Sequence, residues 1–306
     1  MIFIELSDQL GNQMFSYASA KAIATKKGYV FKCSRRFLAA KYINDSDKTH
    51  GSDLPKIFNI PQEEILKEDE FELVKKFPCI AEKPLAERTT TFEQALADCP
   101  DNVRLGGHLI STKYFDDILP TVRTWFQFPQ DTRSSAQNEI ARIKNEHPGK
   151  TLCAVHFRVG RDYTRLGYKI DGDYQQKAAT RAQCERQNIV FVVFYDRMTK
   201  EVTRFLKQFP CVLSHNSMIV DMCAISLCDC AIIANSSFSI WSALLSAKED
   251  FKVWRPSCYP VSFNYAPTDC FLEKWEIVPA KRSLDSTIWM LFRVGLARLK
   301  NLLLKR

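Results

Sequence analysis

A short apolar start, Ile2–Leu6, gives way to a polar loop at Ser7–Asn12 and then to Met14, Ala18, Ala22 and Ile23 near helical spacing. That pattern predicts a first strand and a helix running to about Lys27, with a second strand at Tyr29–Cys33. Strand, loop, helix and strand in this order form the unit from which doubly wound sheets are built. From Ser34 to about Pro100 the period fades into charged stretches such as Lys67–Glu72, which predicts insertions or short helices. Structure resumes with a strand at Val103–Leu109 and helices over Thr112–Leu119 and Asp131–Glu146.

His147-Pro-Gly-Lys150 is a turn, and it separates a polar helix from the apolar strand Thr151–His156. A run that lacks strict alternation suits a strand buried on both faces of a parallel sheet. Helices then alternate with strands: Tyr174–Gln187, Ile189–Tyr195, Thr199–Phe209, Cys211–Leu213, Val220–Leu227, Cys230–Ala234, Ser239–Leu245 and Phe251–Trp254. The expected architecture is α/β, with domains over 1–150 and 151–280 facing each other across a cleft. A basic amphipathic helix, 281–306, closes the chain.

With 46% hydrophobic and 25% charged residues, the 306-residue chain reads as a globular protein. Its net charge of +8 is concentrated at the end. Lys281, Arg282, Arg293, Arg298, Lys300, Lys305 and Arg306 stand there against Asp285 alone, so the body carries little excess and no basic, aromatic-interleaved stripe. A nucleic-acid partner is therefore not expected. Eleven cysteines occur without the compact repeated spacing of a disulfide scaffold, and a reducing cytosol fits them. Cys223, Cys228 and Cys230 lack the paired spacing of a zinc site and read as small apolar side chains. The apolar start is interrupted by Glu5, too early for a signal peptide or a membrane span.

Three loops fall where a cleft would lie. Gln9-Leu-Gly-Asn-Gln13 joins the first strand to its helix, where amides and the Asn12 and Gln13 side chains could meet an anionic or hydroxylated ligand. The same residues also suit an ordinary turn or cap. In Leu152–Tyr163, an apolar run stops at His156, Arg158, Arg161 and Asp162, and cations beyond a strand's carboxyl end suit a phosphate. The third loop is Asn235-Ser-Ser-Phe-Ser239, preceded by Asp221, with more polar groups than a helix cap requires.

These residues also carry a family resemblance. His156–Tyr163, HFRVGRDY, resembles the HxRxGD motif of GDP-fucose-dependent fucosyltransferases, and Leu10–Ala18, LGNQMFSYA, resembles the opening of the galactoside α-1,2-fucosyltransferase family. The stretch from Asp221, DMCAISLCDCAIIANSSFSIWSALL, is similar to that family's NSSFS signature, and Leu105–Phe115 to its LxGYxQSxKYF segment. Four motifs occur in the family's order. The resemblance implies a GT-B fold of two Rossmann-like domains and a metal-free, cofactor-free inverting transfer of fucose from GDP-fucose to a β-galactoside.

Under the resemblance, Arg158 holds the β-phosphate, Ser236, Ser237 and Phe238 line the diphosphate with Asn235 beside them, and His156 positions the donor. Asp221 would accept hydrogen bonds from guanine. Asn12 and Gln13 would reach the donor from the facing domain, and His108, Lys113 and Tyr114 would meet the acceptor. Asp162 is the assigned catalytic base, with Asp8 and Glu5 as the other candidates; Asp162 could equally brace the Arg158 loop. Three positions depart from the family pattern. Val159 replaces an arginine with Arg161 inserted after it, Asp8-Gln9 replaces a glycine pair, and His108 replaces tyrosine.

The last stretch places Ile288, Phe292, Leu296, Leu299 and Leu303 on one stripe among basic residues, but charges interrupt it too often for a span. It suits a helix lying in an anionic membrane interface, or one packed on the protein. The expectation is a cytoplasmic enzyme of surface-glycan or O-antigen assembly, peripheral on the inner face of the membrane. A catalytically silent nucleotide-sugar or glycan-binding protein is the alternative from another class.

Overall fold

The computed structural model describes residues 1–34, 54–82, 91–259 and 268–303, with side chains as far as Phe292. The first unit contains β1 (Ile2–Glu5), α1 (Leu10–Lys27), β2 (Phe31–Ser34), α2 (Leu54–Ile57), α3 (Phe71–Lys75), β3 (Cys79–Ala81), α4 (Gln94–Ala97) and β4 (Val103–Gly106). Its four strands form a wholly parallel sheet in the order β2-β1-β4-β3. Ile2 sits opposite both Phe31 and Val103, so β1 is central and its following loop lies beside that of β4.

Two helices, α5 (Leu119–Trp125) and α6 (Gln130–Glu146), lead to the second unit. It comprises β5 (Thr151–Phe157), α7 (Arg161–Leu166), α8 (Asp173–Glu185), β6 (Ile189–Tyr195), α9 (Lys200–Gln208), β7 (Cys211–Leu213), α10 (Met218–Leu227), β8 (Cys230–Ile232), α11 (Ser237–Leu244), β9 (Lys252–Pro256), β10 (Glu276–Val278) and α12 (Leu284–Leu303). The sheet order is β10-β9-β8-β5-β6-β7, again all parallel. β5 is interior, and from Leu152 onward every residue of it is buried, as a strand covered by helices on both faces must be.

The two units share a core. α1 is buried over most of its circumference, including Gln13, Ser16 and Ser19, because it lies between the first sheet and α11. It ends at Gly28, whose left-handed backbone (φ 68°) turns its N–H back onto the last carbonyls. Trp241 of α11 packs its ring 5.2 Å from Phe15, 5.4 Å from Phe115 and 4.9 Å from Phe126, centroid to centroid. These aromatic contacts tie the second unit to the first within the shared core.

Thr112–Leu119, expected as one helix, is instead two 3₁₀ turns, Thr112–Tyr114 and Asp116–Ile118, with α5 starting afterwards. Pro120 explains the late start, since proline suits the first turn of a helix and not its interior. The second sheet begins at Thr151, and α6, which precedes it, packs on α10 of the second unit. Cys223, Cys228 and Cys230 are buried in α10, β8 and the turn between them. Among the described residues no helix is long and apolar enough to cross a membrane. Lys305 and Arg306, and the side chains of Arg293, Leu296, Arg298, Leu299, Lys300 and Leu303, all expected in the basic helix, lie outside the described residues.

Candidate functional site

A pocket of about 410 Å³ opens between the units, and both contribute to its wall. Gln9, Leu10 and Gly11 come from the start of α1, while His156, Arg158, Asp221, Ser236, Ser237 and Phe238 come from the second sheet and its helices. The amino ends of α1 and α11 nearly touch there. A Cβ on Gly11 would lie 2.5 Å from the Phe238 backbone nitrogen, so only glycine allows this approach. Two positive helix ends in one pocket favour an anion.

Arg158 stands immediately beyond β5, with its guanidinium held on two sides. It donates to Asp162 at 2.6 Å and to Asp196, and it lies 4.8 Å over the Tyr163 ring. Burial opposes its charge, but the two carboxylates raise its pKa. Because a guanidinium carries five N–H donors, those contacts fix its plane while leaving donors for a ligand. Asp196 also accepts from the Val159 and Gly160 amides, at 2.9 and 3.0 Å, and so pins the whole turn. A Cβ on Gly160 would meet carboxylate oxygens of Asp162 and Asp196, so glycine lets both carboxylates sit close against the turn.

His156 is buried, with its ring 5.3 Å from Phe238. Its Nδ1 makes no hydrogen bond among the described residues. Burial, assisted by the Arg158 charge and opposed by Asp196, pushes its pKa down to about 4, so the imidazole is neutral near neutral pH. Asp221 receives the Ser214 hydroxyl. Burial pushes its carboxyl up to about 7 against that hydrogen bond. A partly desolvated carboxylate of this kind gains most from a ligand that donates to it.

The structure therefore brings together Arg158, His156, Asp221, Ser236, Ser237 and Phe238 in the wall of one pocket. Other expected members lie elsewhere. Gln13 is fully buried, its amide donating to the Asp8 carbonyl at 2.8 Å and accepting from the Leu54 amide at 3.1 Å, so it braces the loop from beneath. Asn235 is likewise buried, giving its amide to the Tyr168 carbonyl at 2.7 Å and receiving the Tyr163 hydroxyl on its own carbonyl. Asn12 stands beside the pocket and donates to Asp8 at 2.8 Å.

On the acceptor side, Tyr114 is only 2% exposed, and its hydroxyl accepts from the Glu93 amide at 3.0 Å. It faces the core and not the cleft. Lys113 pairs with Asp269 at 3.3 Å, on the segment that returns from the second unit to the first. His108 lies against the loop that leads into α1, with Nε2 3.3 Å from the Ser7 hydroxyl and 4.0 Å from Asp8. Asp162, in the first turn of α7, is engaged with Arg158, and the inserted Arg161 lines a different pocket. Asp196 was missed, although an acidic residue directly after the strand Ile189–Tyr195 was a usable signal.

The model of the family described as "Glycosyl transferase family 11" matches residues 99–278. The galactoside 2-alpha-L-fucosyltransferase Sec1 of Mus musculus is 25% identical over 304 residues, covering 94% of this chain and 76% of that one. Among solved structures, the fucosyltransferase NodZ from Bradyrhizobium aligns with a TM-score of 0.49 and 14% identity, over 80% of this chain and 92% of that one. FUT1 of Arabidopsis thaliana in complex with GDP gives 0.47 and 12%, over 87% and 71%. The chain, two parallel-sheet units with a pocket between them, belongs to glycosyltransferase family 11.

Proposed function

We propose that the protein transfers L-fucose from GDP-β-L-fucose to the 2-hydroxyl of a terminal β-galactoside, with inversion. One observation carries this reading: Arg158, the amino end of α11 and Asp221 line a single pocket of about 410 Å³. Arg158 and the α11 amides suit a diphosphate. Asp221, when ionised, offers two acceptor oxygens to the paired N–H donors of guanine, which adenine lacks. The name of the mouse relative supports the linkage.

In this reaction the acceptor oxygen forms a bond to the fucose C1 while the bond from C1 to the β-phosphate oxygen breaks. The electron pair leaves with GDP, where Arg158 and the helix ends stabilise it. The reading assigns that role to protein charge and invokes no metal. The acceptor proton goes to Asp8 and not to Asp162, whose carboxylate is committed to Arg158. Asp8 is about half exposed, flanked by Asn12 and His108, and immediately precedes Gln9 of the pocket wall. Its backbone is left-handed (φ 67°), a conformation that Asp adopts more readily than most residues. The acceptor, a surface glycan or oligosaccharide, lies against His108, and contact of α12 with a membrane belongs to the same cytoplasmic setting.

Steady-state kinetics with GDP-fucose and lactose, paired with GDP-fucose binding by calorimetry, test the assignment. Asp8→Asn should lower kcat by about 10²- to 10³-fold with the donor Kd unchanged, as loss of a general base does. Asp162→Asn should instead weaken donor binding through Arg158. A normal kcat in Asp8→Asn would refute the base, and donor binding without turnover in the wild type would favour a silent binder.

A further inference from the structure

A second pocket, of about 430 Å³, lies outside the donor site between α7 and α12. Arg161, Arg165, Lys169 and Arg197 line it with Trp289, and among the described residues Asp285 is the only acidic one in the wall. Lys169 is answered by Glu201 and Asp285, at 2.8 and 3.0 Å. Arg165 lies 5.7 Å above the Trp289 ring, and Arg161 and Arg197 make no ion pair among the described residues. The pocket is thus a net cationic cup beside an indole.

The helix at its rim is amphipathic in a specific direction. Ser286 turns inward, donating to the Thr164 carbonyl at 3.2 Å, and Met290 packs over Gly167. The opposite face shows Leu284, Ile288, Leu291 and Phe292 at 57–77% exposure. Apolar side chains standing free beside a cationic pocket and a half-exposed tryptophan match the layers of a bilayer surface: acyl boundary, aromatic belt and headgroup phosphate.

We infer that this face docks on a lipid bilayer rich in anionic headgroups, with a headgroup phosphate seated among Arg161, Arg165 and Arg197 and the α12 stripe at the acyl boundary. The inserted Arg161, unused by the donor site, then has a partner. The proposal extends the membrane contact of the proposed function but does not depend on transfer. Because α12 packs on α7, the helix carrying Asp162, docking would also place the donor pocket near the bilayer surface.

Flotation of the full chain with phosphatidylcholine vesicles, with and without phosphatidylglycerol, tests this. The protein should float with anionic vesicles only, and high salt should release it. Each cation near such a surface is worth about fivefold, so Arg161→Glu/Arg165→Glu/Arg197→Glu should lower partitioning by at least about a hundredfold. Ile288→Asp/Phe292→Asp should release the protein as well, and retained GDP binding in both variants would show that they fold. Equal flotation with both vesicle types, or none with either, would overturn the proposal. So would saturable binding of inorganic phosphate, lost in the triple variant, without vesicle binding.

Discussion

Asp196→Ala is the sharpest test of how the diphosphate site is built, because Asp196 need touch no substrate to matter. Its carboxylate accepts the Val159 and Gly160 amides at 2.9 and 3.0 Å and holds one edge of the Arg158 guanidinium. Hydrogen bonds to a charged group are worth about 1.5–3 kcal/mol each, and water replaces part of that at a side chain that is 20% exposed. The loss should be about 2–4 kcal/mol of transition-state stabilisation, or about 30- to 1,000-fold in kcat/KM. Arg158 would then keep only Asp162, and the turn would lose its anchor. Asp196→Asn, whose amide oxygen still accepts one N–H, should fall between. The assay is GDP release from GDP-fucose with lactose, beside calorimetric donor binding. Activity of Asp196→Ala within about threefold of wild type would refute the bracing argument, since even one lost charge-assisted bond exceeds that.

Asp221→Asn tests the guanine contact through pH. In the wild type, GDP affinity should fall by up to about tenfold per pH unit below about 7, as the carboxyl takes up its proton, and stay flat above; calorimetry should show no such slope in the variant. Because burial raises this carboxyl from 3.8 to about 7, the folded state holds its proton longer than the unfolded chain, and stability is lost as pH rises through that window. Asp221→Asn should thus melt higher than wild type above pH 7, an advantage that fades toward pH 4. Gly11→Ala must push α1 from α11, costing about 1–3 kcal/mol of stability, visible as a lower Tm with reduced activity. Tyr114→Phe should lose about 1 kcal/mol of stability, the Glu93 bond, with the acceptor KM unchanged; a raised KM would restore it to the acceptor site.

The strands were legible where burial on both faces writes a continuous apolar run. Ile189–Tyr195 falls within its expected limits and β5 differs only by Phe157, while Cys211–Leu213, an edge strand only partly buried, also keeps its expected limits. Short elements such as α2, α3 and β3 left too few turns of periodicity to read. Motif residues were legible as types but not as partners. Gln13 and Asn235 carry the polar side chains of a ligand site, yet their amides satisfy buried backbone groups, an accounting that only the packed structure reveals. Asp8 and His108, two departures from the family pattern, could not be seen as neighbours because adjacency of the loops after β1 and β4 comes from sheet order.

The central claim is tested most directly by incubating the wild-type protein with GDP-fucose and lactose and identifying the product by NMR. The account predicts stoichiometric GDP and a trisaccharide carrying α-linked fucose on the galactose 2-hydroxyl. A trisaccharide of another linkage, or tight GDP-fucose binding without any product, would contradict it.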